Sequence, residues 1–292
     1  MLSILIPTYN YNTFPLAEEL EKQALQLGIE FELICMDDGS FSPLNEVNQK
    51  INALTNCRFI ENHKNIGRVA IRKLLAEHAN YNWLLFLDSD MKPAKGDCVK
   101  HYLEYLNSSY DVIFGGYAYK KEDLDPSRSL RHKFGSEREQ VESKKRNKNP
   151  YKITLSGNCL IKKDIFQKIY KDIDWDSYGM DYFFGSRLNQ LKIPALHIDN
   201  ETFHFGIEDN LEFLTKTKFA LKNLHTLFNQ KRINVNGITI LKYYKVLKAL
   251  KLIWLFRGFI TIFEKHIEKN LLGPKPNLLF FDLYRLGYLC RL

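Results

Sequence analysis

Short apolar runs alternate with amphipathic segments through the first third of the chain. The runs that are typical of strands are Leu2–Ile6, Phe31–Met36, Cys57–Glu61 and Trp83–Leu87. The segments between them, Phe14–Leu27, Pro43–Leu54 and Arg68–Ala79, are predicted helices. The last strand is wholly apolar, which indicates burial on both faces of a parallel sheet. This alternation predicts a doubly wound, mostly parallel α/β sheet flanked by helices.

Polar clusters follow the predicted strands. They are Thr8-Tyr9-Asn10, Asp37-Asp38, Asn65 and Asp88-Ser89-Asp90. Ligands of open α/β sheets bind beyond the carboxyl ends of the strands, so the clusters are expected on one rim of one sheet. The two carboxylates of the last cluster suit Mg²⁺ or Mn²⁺ that must also hold a diphosphate. The pattern therefore predicts a nucleotide-diphosphate site.

Composition narrows the class of protein. The 292 residues are 45% hydrophobic, which is enough for a large domain with an appendage and too much for a disordered chain. The formal net charge of +8 favours an anionic partner, but charge alone does not choose among a nucleotide, a phospholipid surface and a nucleic acid. The five cysteines have no paired spacing, so neither a zinc site nor a disulfide framework is expected. A cytoplasmic setting without a secretion signal fits best.

The chain changes character after the predicted sheet. Segment 120–152 is rich in Lys and Arg, and is interpreted either as a solvated excursion or as a mobile lid. Regular secondary structure is expected to resume with a strand over Thr154–Ile161 and a helix over Asp164–Tyr170. A further helix is predicted to open within 175–182 and to run to about Leu191. A short strand over Ala195–Ile198 then leads to His204-Phe205-Gly206.

A basic helical extension is expected from about Thr239. Its lysines recur every third residue, at Lys242, Lys245, Lys248 and Lys251. Aromatic and aliphatic residues lie between them, which predicts a helix with one basic and one apolar face. The run Leu252–Phe263 is interrupted by Arg257 and is too short to span a bilayer, which takes about 20 apolar residues. Two interpretations stay open: the helix lies on an anionic membrane surface, or it packs on the main domain with its lysines in solvent.

Four motifs occur in order within residues 1–210. They are Ile4–Asn10, Met36–Ser40, Asn65–Gly67 with Arg72 downstream, and Leu87–Asp90. Together they resemble the motifs of family 2 glycosyltransferases of the GT-A fold. The resemblance implies a Rossmann-like GT-A domain over 1–235, with a nucleotide-binding half over 1–118 and an acceptor half over 119–235 that contains the basic loop. The helical extension then covers 236–292.

The resemblance also implies nucleotide-binding residues. They are Pro7, Thr8, Asn10, Asp38, Asn65, Arg72 and Asp88. Asp38 is expected to accept the imide N–H of uracil, which favours UDP, although it could simply form a turn with Gly39-Ser40. Arg72 is expected to reach the base or a phosphate, although a helical Arg often faces solvent.

A divalent cation and a general base complete the implied site. Asp90 and His204 are expected to bind Mn²⁺ or Mg²⁺, which neutralises the charge of the leaving diphosphate, although a lone His is often structural. Asp181 is the expected base of an inverting transfer, since Gly179-Met180-Asp181 precedes a helix that contains Arg187-Leu188. Met180 replaces the usual Glu of the family, which leaves the type of acceptor open. Asp181 can also cap the helix, and Asp174 and Asp176 are nearby alternatives.

The resemblance implies a hexosyltransferase-type enzyme of bacterial polysaccharide biosynthesis. Its expected partners are a UDP-sugar donor, a glycan or lipid-linked acceptor, and an anionic membrane surface bound through 239–292 on the inner face of the cell membrane. Nucleic acid is not expected, because the basic residues lack a recognised reading motif. A non-catalytic nucleotide-sugar or membrane-surface binding protein is the alternative. Neither the donor sugar nor the acceptor follows from the sequence.

Overall fold

A computed structural model describes residues 1–120, 125–171, 173 and 178–292 of the chain. The alternative bases Asp174 and Asp176 lie outside the described residues, whereas the helix predicted to open within 175–182 begins at Met180 and is described. Positions 121–124 of the basic segment also lie outside them.

Two sheets contain the described strands. The strands are β1 (Leu2–Thr8), β2 (Phe31–Asp37), β3 (Cys57–Glu61), β4 (Trp83–Leu87), β5 (Met91–Pro93), β6 (Val112–Phe114), β7 (Tyr117–Ala118), β8 (Asn158–Lys162), β9 (Ala195–His197) and β10 (Thr202–His204). The central sheet has the order β3-β2-β1-β4-β8-β6-β9, and the small sheet has the order β5-β10-β7. In the central sheet only β8 runs antiparallel to its neighbours, β4 and β6. The predicted mostly parallel, doubly wound sheet is therefore confirmed.

Helices flank the central sheet and continue to the C-terminus. They are α1 (Phe14–Gln26), α2 (Asn45–Asn48), α3 (Arg68–His78), α4 (Cys98–Leu103), α5 (Ser129–Phe134), α6 (Ser143–Arg146), α7 (Lys163–Tyr170), α8 (Met180–Gln190), α9 (Asn210–Asn229), α10 (Thr239–Ala249), α11 (Ile253–Leu271) and α12 (Leu278–Leu289). The helix predicted over Pro43–Leu54 is instead one α-helical turn followed by a 3₁₀ helix over Gln49–Ala53. The Asn48 side chain bonds the backbone of Tyr11 and Thr13, both at 2.9 Å, and thereby ties this segment to the loop after β1.

Alternate side chains of β1 divide the core into two layers. Leu5 packs in the layer that contains apolar side chains of α3, α7 and α8. Ile4 and Ile6 pack in the opposite layer, with side chains of α1 and α4. The neighbouring strand β4 alternates in the same way, and all five of its residues are buried. Burial on both faces explains its wholly apolar sequence.

The basic segment 120–152 corrects the expectation of a solvated loop. Where the structure describes it, α5, a π-helical turn over Gly135–Glu139 and α6 occupy most of its length. Leu130 is fully buried, and Arg131 and Arg146 are buried as well. The Arg146 guanidinium donates to carbonyl oxygens of Gly115 and Ile198, so internal acceptors replace water around this charge. Mobility of the segment stays a prediction.

The C-terminal helices share their core with the rest of the fold. Phe281 and Tyr284 of α12 pack with Leu130 of α5 and with Phe213 of α9. Leu241, Tyr244 and Leu289 belong to the same core layer as α3, α7 and α8. Within the part of the chain that is described, no helix combines the length and hydropathy needed to cross a membrane. The domain boundary near 236 stays a prediction.

Candidate nucleotide and sugar-transfer site

The carboxyl ends of β1, β2 and β4 meet at one rim of the central sheet. Strand β1 lies between β2 and β4, so the chain order reverses beside it. In open α/β sheets such a reversal leaves a crevice in which ligands bind. The residues after these three strands therefore lie at one rim of one sheet, as the sequence predicted.

Two adjacent aspartates have different roles after β2. The Asp37 carboxylate accepts hydrogen bonds from the backbone N–H and the hydroxyl of Ser40, at 2.8 and 2.7 Å. Asp37 therefore closes the turn with Gly39-Ser40. The Asp38 carboxylate accepts from the backbone N–H groups of Ile66 and Gly67, both at 2.8 Å. It thereby holds the segment that contains Asn65 at the N-terminus of α3, where negative charge is favoured.

The predicted base-lining residues of β1 lie at different depths. Asn10 is exposed and has a positive φ of 49°, and its Oδ1 accepts from the Ser42 hydroxyl at 2.8 Å. Thr8 is buried, and its hydroxyl faces the carbonyl oxygen of Ile6 at 3.4 Å. Pro7 is half-buried and pairs in register with Met36. Of these three, Asn10 is the most exposed at the rim.

Two arginines of α3 face Asp88. Arg72 is buried, its guanidinium pairs with Asp88, and it also donates to the carbonyl oxygen of Arg68 at 3.0 Å. Arg72 therefore does not face solvent. Arg68 lies one turn earlier, with its guanidinium 3.6 Å from Asp88 and 61% of its side chain exposed. The sequence prediction missed Arg68, although its i, i+4 spacing to Arg72 places both on one face of the helix.

Asp90 and His204 are brought together by the small sheet. Strands β5 and β10 are antiparallel with His204 opposite Met91, and the His204 Nε2 lies 3.2 Å from Asp90 Oδ2. Burial raises the pKa of Asp90, but the hydrogen bond and charge of His204, together with the charge of Arg68 and a backbone hydrogen bond, outweigh burial and hold this pKa below its usual range. Gly206 contributes by having no side chain, because a Cβ atom there would overlap the Asp90 carboxylate.

The donor atoms of this pair fit a divalent cation. A carboxylate oxygen and an imidazole nitrogen suit Mn²⁺, whereas Mg²⁺ prefers oxygen ligands alone. Among the residues that the structure describes, no group of three or more His, Cys, Asp or Glu side chains is arranged to hold a metal. A cation here would therefore need further ligands from a bound diphosphate or from water.

Asp181 lies in the first turn of α8, close to Asp88. Its Oδ1 accepts from the Ser156 hydroxyl at 2.7 Å, and its carbonyl oxygen accepts from the Thr154 hydroxyl at 3.0 Å. Gly157, next to Ser156, packs directly on the Asp88 carboxylate, and its carbonyl oxygen accepts from the backbone N–H of Asp88 at 3.0 Å. The N-cap residue of α8 is Gly179, so Asp181 is not the helix cap.

The surroundings of Asp181 raise its pKa above the usual range for an aspartate. Desolvation by the surrounding protein atoms is the largest cause, although the side chain itself remains accessible to water. The hydrogen bond from Ser156 and the positive charges of Arg68 and Arg72 oppose this rise. A carboxylate with a raised pKa is a stronger base than one in free solution.

Comparison with known proteins identifies the family. Residues 3–170 match the family model described as glycosyl transferase family 2. Chondroitin synthase from Escherichia coli is 29% identical over 223 residues, which cover 72% of this chain and 31% of that protein. The chain thus spans about a third of the length of the curated relative it matches.

Two solved structures show the same fold. Residues 1–349 of TarS from S. aureus, in complex with UDP-GlcNAc, are 19% identical with a TM-score of 0.50, covering 89% of this chain and 80% of that chain. The mannosyltransferase PcManGT from Pyrobaculum calidifontis, in complex with GDP-Man and Mn²⁺, is 12% identical with a TM-score of 0.50, covering 78% of this chain and 64% of that chain. The expected GT-A fold is confirmed. Because the family match extends over more than half of its length, the chain belongs to glycosyl transferase family 2.

Proposed function

We propose that this chain is an inverting glycosyltransferase that moves a sugar from a UDP-sugar to a hydroxyl group of a glycan or lipid-linked acceptor. One observation carries the proposal. The Asp181 carboxylate contacts Ser156, and the Asp88 carboxylate contacts the adjacent residue Gly157. A candidate base therefore lies directly beside the rim where a diphosphate would bind.

The rim around Asp38 supports a uridine nucleotide. The Asp38 carboxylate lies at this rim and accepts from the backbone N–H groups of Ile66 and Gly67, and an acceptor-only group of this kind suits the imide N–H of uracil. Asn10 lies exposed at the same rim and can contact the base or ribose. The complex of TarS with UDP-GlcNAc supports the same class of donor.

Arginine and a divalent cation are proposed to neutralise the diphosphate. Arg68 is exposed beside Asp88, so its guanidinium can reach phosphate oxygens, whereas Arg72 orients Asp88. Asp90 and His204 would hold Mn²⁺ or Mg²⁺, which stabilises negative charge on the departing UDP. The Mn²⁺ complex of the mannosyltransferase PcManGT supports a cation of this kind.

Asp181 is proposed to remove the proton of the acceptor hydroxyl. The acceptor oxygen attacks the anomeric carbon as its proton passes to the Asp181 carboxylate, and the bond to UDP breaks on the opposite side. A single displacement of this kind inverts the anomeric configuration. Ser156 holds the carboxylate in place through its hydroxyl bond.

The test is the substitution Asp181→Asn, with Asp164→Asn as a matched control. Asp164 also lies in the first turn of a helix, α7, but is exposed on the surface. We expect Asp181→Asn to bind UDP normally while transfer falls by roughly 10²–10⁴-fold, as loss of a general base does. UDP release measured with a panel of UDP-sugars gives the rates, and NMR of the product gives its anomeric configuration.

Two outcomes would overturn the proposal. Product with retained configuration, or wild-type turnover by Asp181→Asn, would rule out Asp181 as the base. Nucleotide-sugar binding without turnover of any donor and acceptor would favour the alternative, a non-catalytic nucleotide-sugar binding protein.

The exposed face of the C-terminal helices is proposed to bind an anionic membrane surface. Apolar side chains of α10 and α11 lie in solvent, with Trp254 70% and Ile262 78% exposed. Lys245, Lys248 and Arg257 are exposed on the same two helices. Aromatic residues beside basic ones suit the interface of a membrane that carries anionic lipids. This arrangement would place the enzyme on the cytoplasmic face of the membrane, next to a lipid-linked or membrane-proximal acceptor.

A further inference from the structure

Two buried side chains lie on the far side of the His204 ring from Asp90. The Nδ1 atom of His204 is 3.4 Å from the hydroxyl oxygen of Tyr119 and 3.3 Å from the Nη2 atom of Arg131. Tyr119 and Arg131 are each 6% exposed. Neither residue belongs to the motifs found in the sequence, yet together they determine which hydrogen bonds this ring can make.

The Tyr119 hydroxyl has one bonding position left for His204. A guanidinium can only donate, so Arg131 donates to the Tyr119 oxygen, at 3.2 Å. An ionised carboxylate can only accept, so the hydroxyl proton is directed to Glu139, which also pairs with Arg131 at 3.0 Å. The remaining lone pair of the Tyr119 oxygen can only accept a hydrogen bond. It faces His204 Nδ1.

The surroundings therefore offer a partner for either tautomer of the ring. With its proton on Nε2, His204 donates to Asp90 at 3.2 Å, and Nδ1 accepts from Arg131. With its proton on Nδ1, the ring donates to Tyr119, and the lone pair of Nε2 is directed to the Asp90 side. A metal ligand needs this second tautomer, because the nitrogen that binds a cation must be unprotonated.

We propose that Tyr119 is a positioning residue that stabilises the Nδ1-protonated tautomer of His204 and thereby supports divalent cation binding through Nε2. This inference rests on the proposed role of Asp90 and His204 in holding the cation. The Glu139 carboxylate acts through Tyr119, since it fixes the direction of the hydroxyl proton, whereas Arg131 also contacts His204 Nδ1 directly and favours the other tautomer. Loss of such an outer hydrogen bond typically weakens metal binding by about 10–100-fold.

The substitution Tyr119→Phe tests the proposal, with Tyr151→Phe as the control. Phenylalanine keeps the ring that packs against Gly135 and removes only the hydroxyl. Tyr151 also uses its hydroxyl inside the fold, bonding the carbonyl oxygen of Ile193 at 2.9 Å. Mn²⁺ binding in the presence of UDP is measured by electron paramagnetic resonance, and UDP binding without metal by calorimetry.

We expect Tyr119→Phe to weaken Mn²⁺ binding by about 10-fold or more while metal-free UDP binding and the control variant stay unchanged. Equal Mn²⁺ affinity in Tyr119→Phe and wild type would overturn the inference alone. Failure of wild-type protein to bind Mn²⁺, or full affinity in His204→Ala, would overturn the proposed cation site and the inference together.

A second measurement needs no variant and covers the case in which Tyr119→Phe does not fold. Nitrogen-15 NMR of the imidazole groups distinguishes the two tautomers in wild-type protein loaded with Mg²⁺ and UDP. We expect the proton of His204 on Nδ1 in the loaded protein. A proton on Nε2 in that state would contradict the proposal.

Discussion

Asp88 is paired with two arginines of one helix, and this pairing affects what Asp90 can do. Arg72 bonds Asp88 from a buried position, and Arg68 approaches it from the solvent side. Guanidinium groups therefore offset the charge of the first carboxylate. Asp90 instead faces His204, whose ring nitrogen could share a cation with its carboxylate. Asp88 is then suited to orienting the donor and Asp90 to binding metal.

For this reason, we expect Asp90→Ala to lower kcat at least about 10²-fold, since it removes a main element of charge stabilisation. Rates of UDP release at saturating Mn²⁺ measure the effect. Asp97→Ala is the control, because Asp97 pairs with His101 on the surface at 3.6 Å. Full turnover of the wild type in excess EDTA would show that no cation is required.

The hydrogen bond of Ser156 predicts a pH effect. Asp181 must be ionised to act as a base, so kcat rises with pH as the pKa of Asp181 is passed. Ser156 lowers this pKa by bonding the carboxylate. Ser156→Ala should raise the pKa further, so the acidic limb of the kcat profile moves to higher pH. Ser156→Thr keeps a hydroxyl and should leave the limb in place, and an unmoved limb in Ser156→Ala would contradict the assignment.

At the scale of helices, α12 reaches the helix that carries Asp181. The Arg285 guanidinium donates to the hydroxyl of Tyr182 at 2.6 Å, and it also lies over the ring of Phe281 at 5.3 Å. Tyr182 follows Asp181 directly in α8. The C-terminal helix therefore helps to hold the start of α8 in position.

Because of this contact, we expect Arg285→Leu to lower kcat by up to about 10²-fold, the cost of misplacing a reacting group by about 1 Å. The KM for the UDP-sugar should change little, since the nucleotide rim lies on other elements. Arg291→Leu is the matched control, because Arg291 pairs with Glu264 of α11 and does not contact α8 in the described structure. Equal rates in the two variants would show that the contact with Tyr182 is unimportant for catalysis.

At the scale of the whole molecule, the C-terminal helices have one buried and one exposed face. Ile260 and Phe281 are almost fully buried, whereas Trp254 and Phe259 are 70% and 48% exposed. Replacing one buried Phe by Ala costs about 3–5 kcal/mol, and the total stability of a domain is only about 5–15 kcal/mol. Deleting residues 237–292 would therefore unfold the protein, so membrane binding must be tested with point variants of the full chain.

Surface variants test the proposed membrane contact. We expect the full chain to co-sediment with anionic liposomes and not with neutral ones. Electrostatic attraction to the liposomes weakens with salt, because the Debye length shrinks from about 10 Å at 0.1 M to about 3 Å at 1 M. The double variant Lys245→Glu with Lys248→Glu should abolish this salt-dependent part of the binding. Trp254→Ser with Phe259→Ser should abolish the salt-resistant part.

Controls for these surface variants come from helix α1. Lys22→Glu and Leu25→Ser change exposed residues there and should leave sedimentation unchanged. Equal sedimentation of all variants would show that the exposed face does not contact the membrane. The helices would then serve only as packed elements of the fold.

The local pattern of apolar and polar residues was sufficient to predict the sheet and the position of its ligand-binding rim. Each strand of the nucleotide half can be recognised in the sequence by itself, because a strand that is buried on both faces needs a continuous apolar run. The ligand-binding rim begins where that run ends. The order of Thr8, Asp38 and Asp88 along the chain therefore predicted their meeting at one edge. The apolar and basic faces of α10 were visible for the same reason, since helical periodicity is a local property.

Tertiary structure alone decided the contacts between distant segments. Asp90 and His204 meet through the pairing of β5 with β10, and strands of three residues show no periodic pattern in a sequence. Asp181 reaches the site because α8 begins beside Ser156, and Tyr119 and Arg131 meet His204 only after the basic segment folds inward. These contacts depend on register and on side-chain packing between distant parts of the chain, and neither quantity is encoded in the spacing of neighbouring residues.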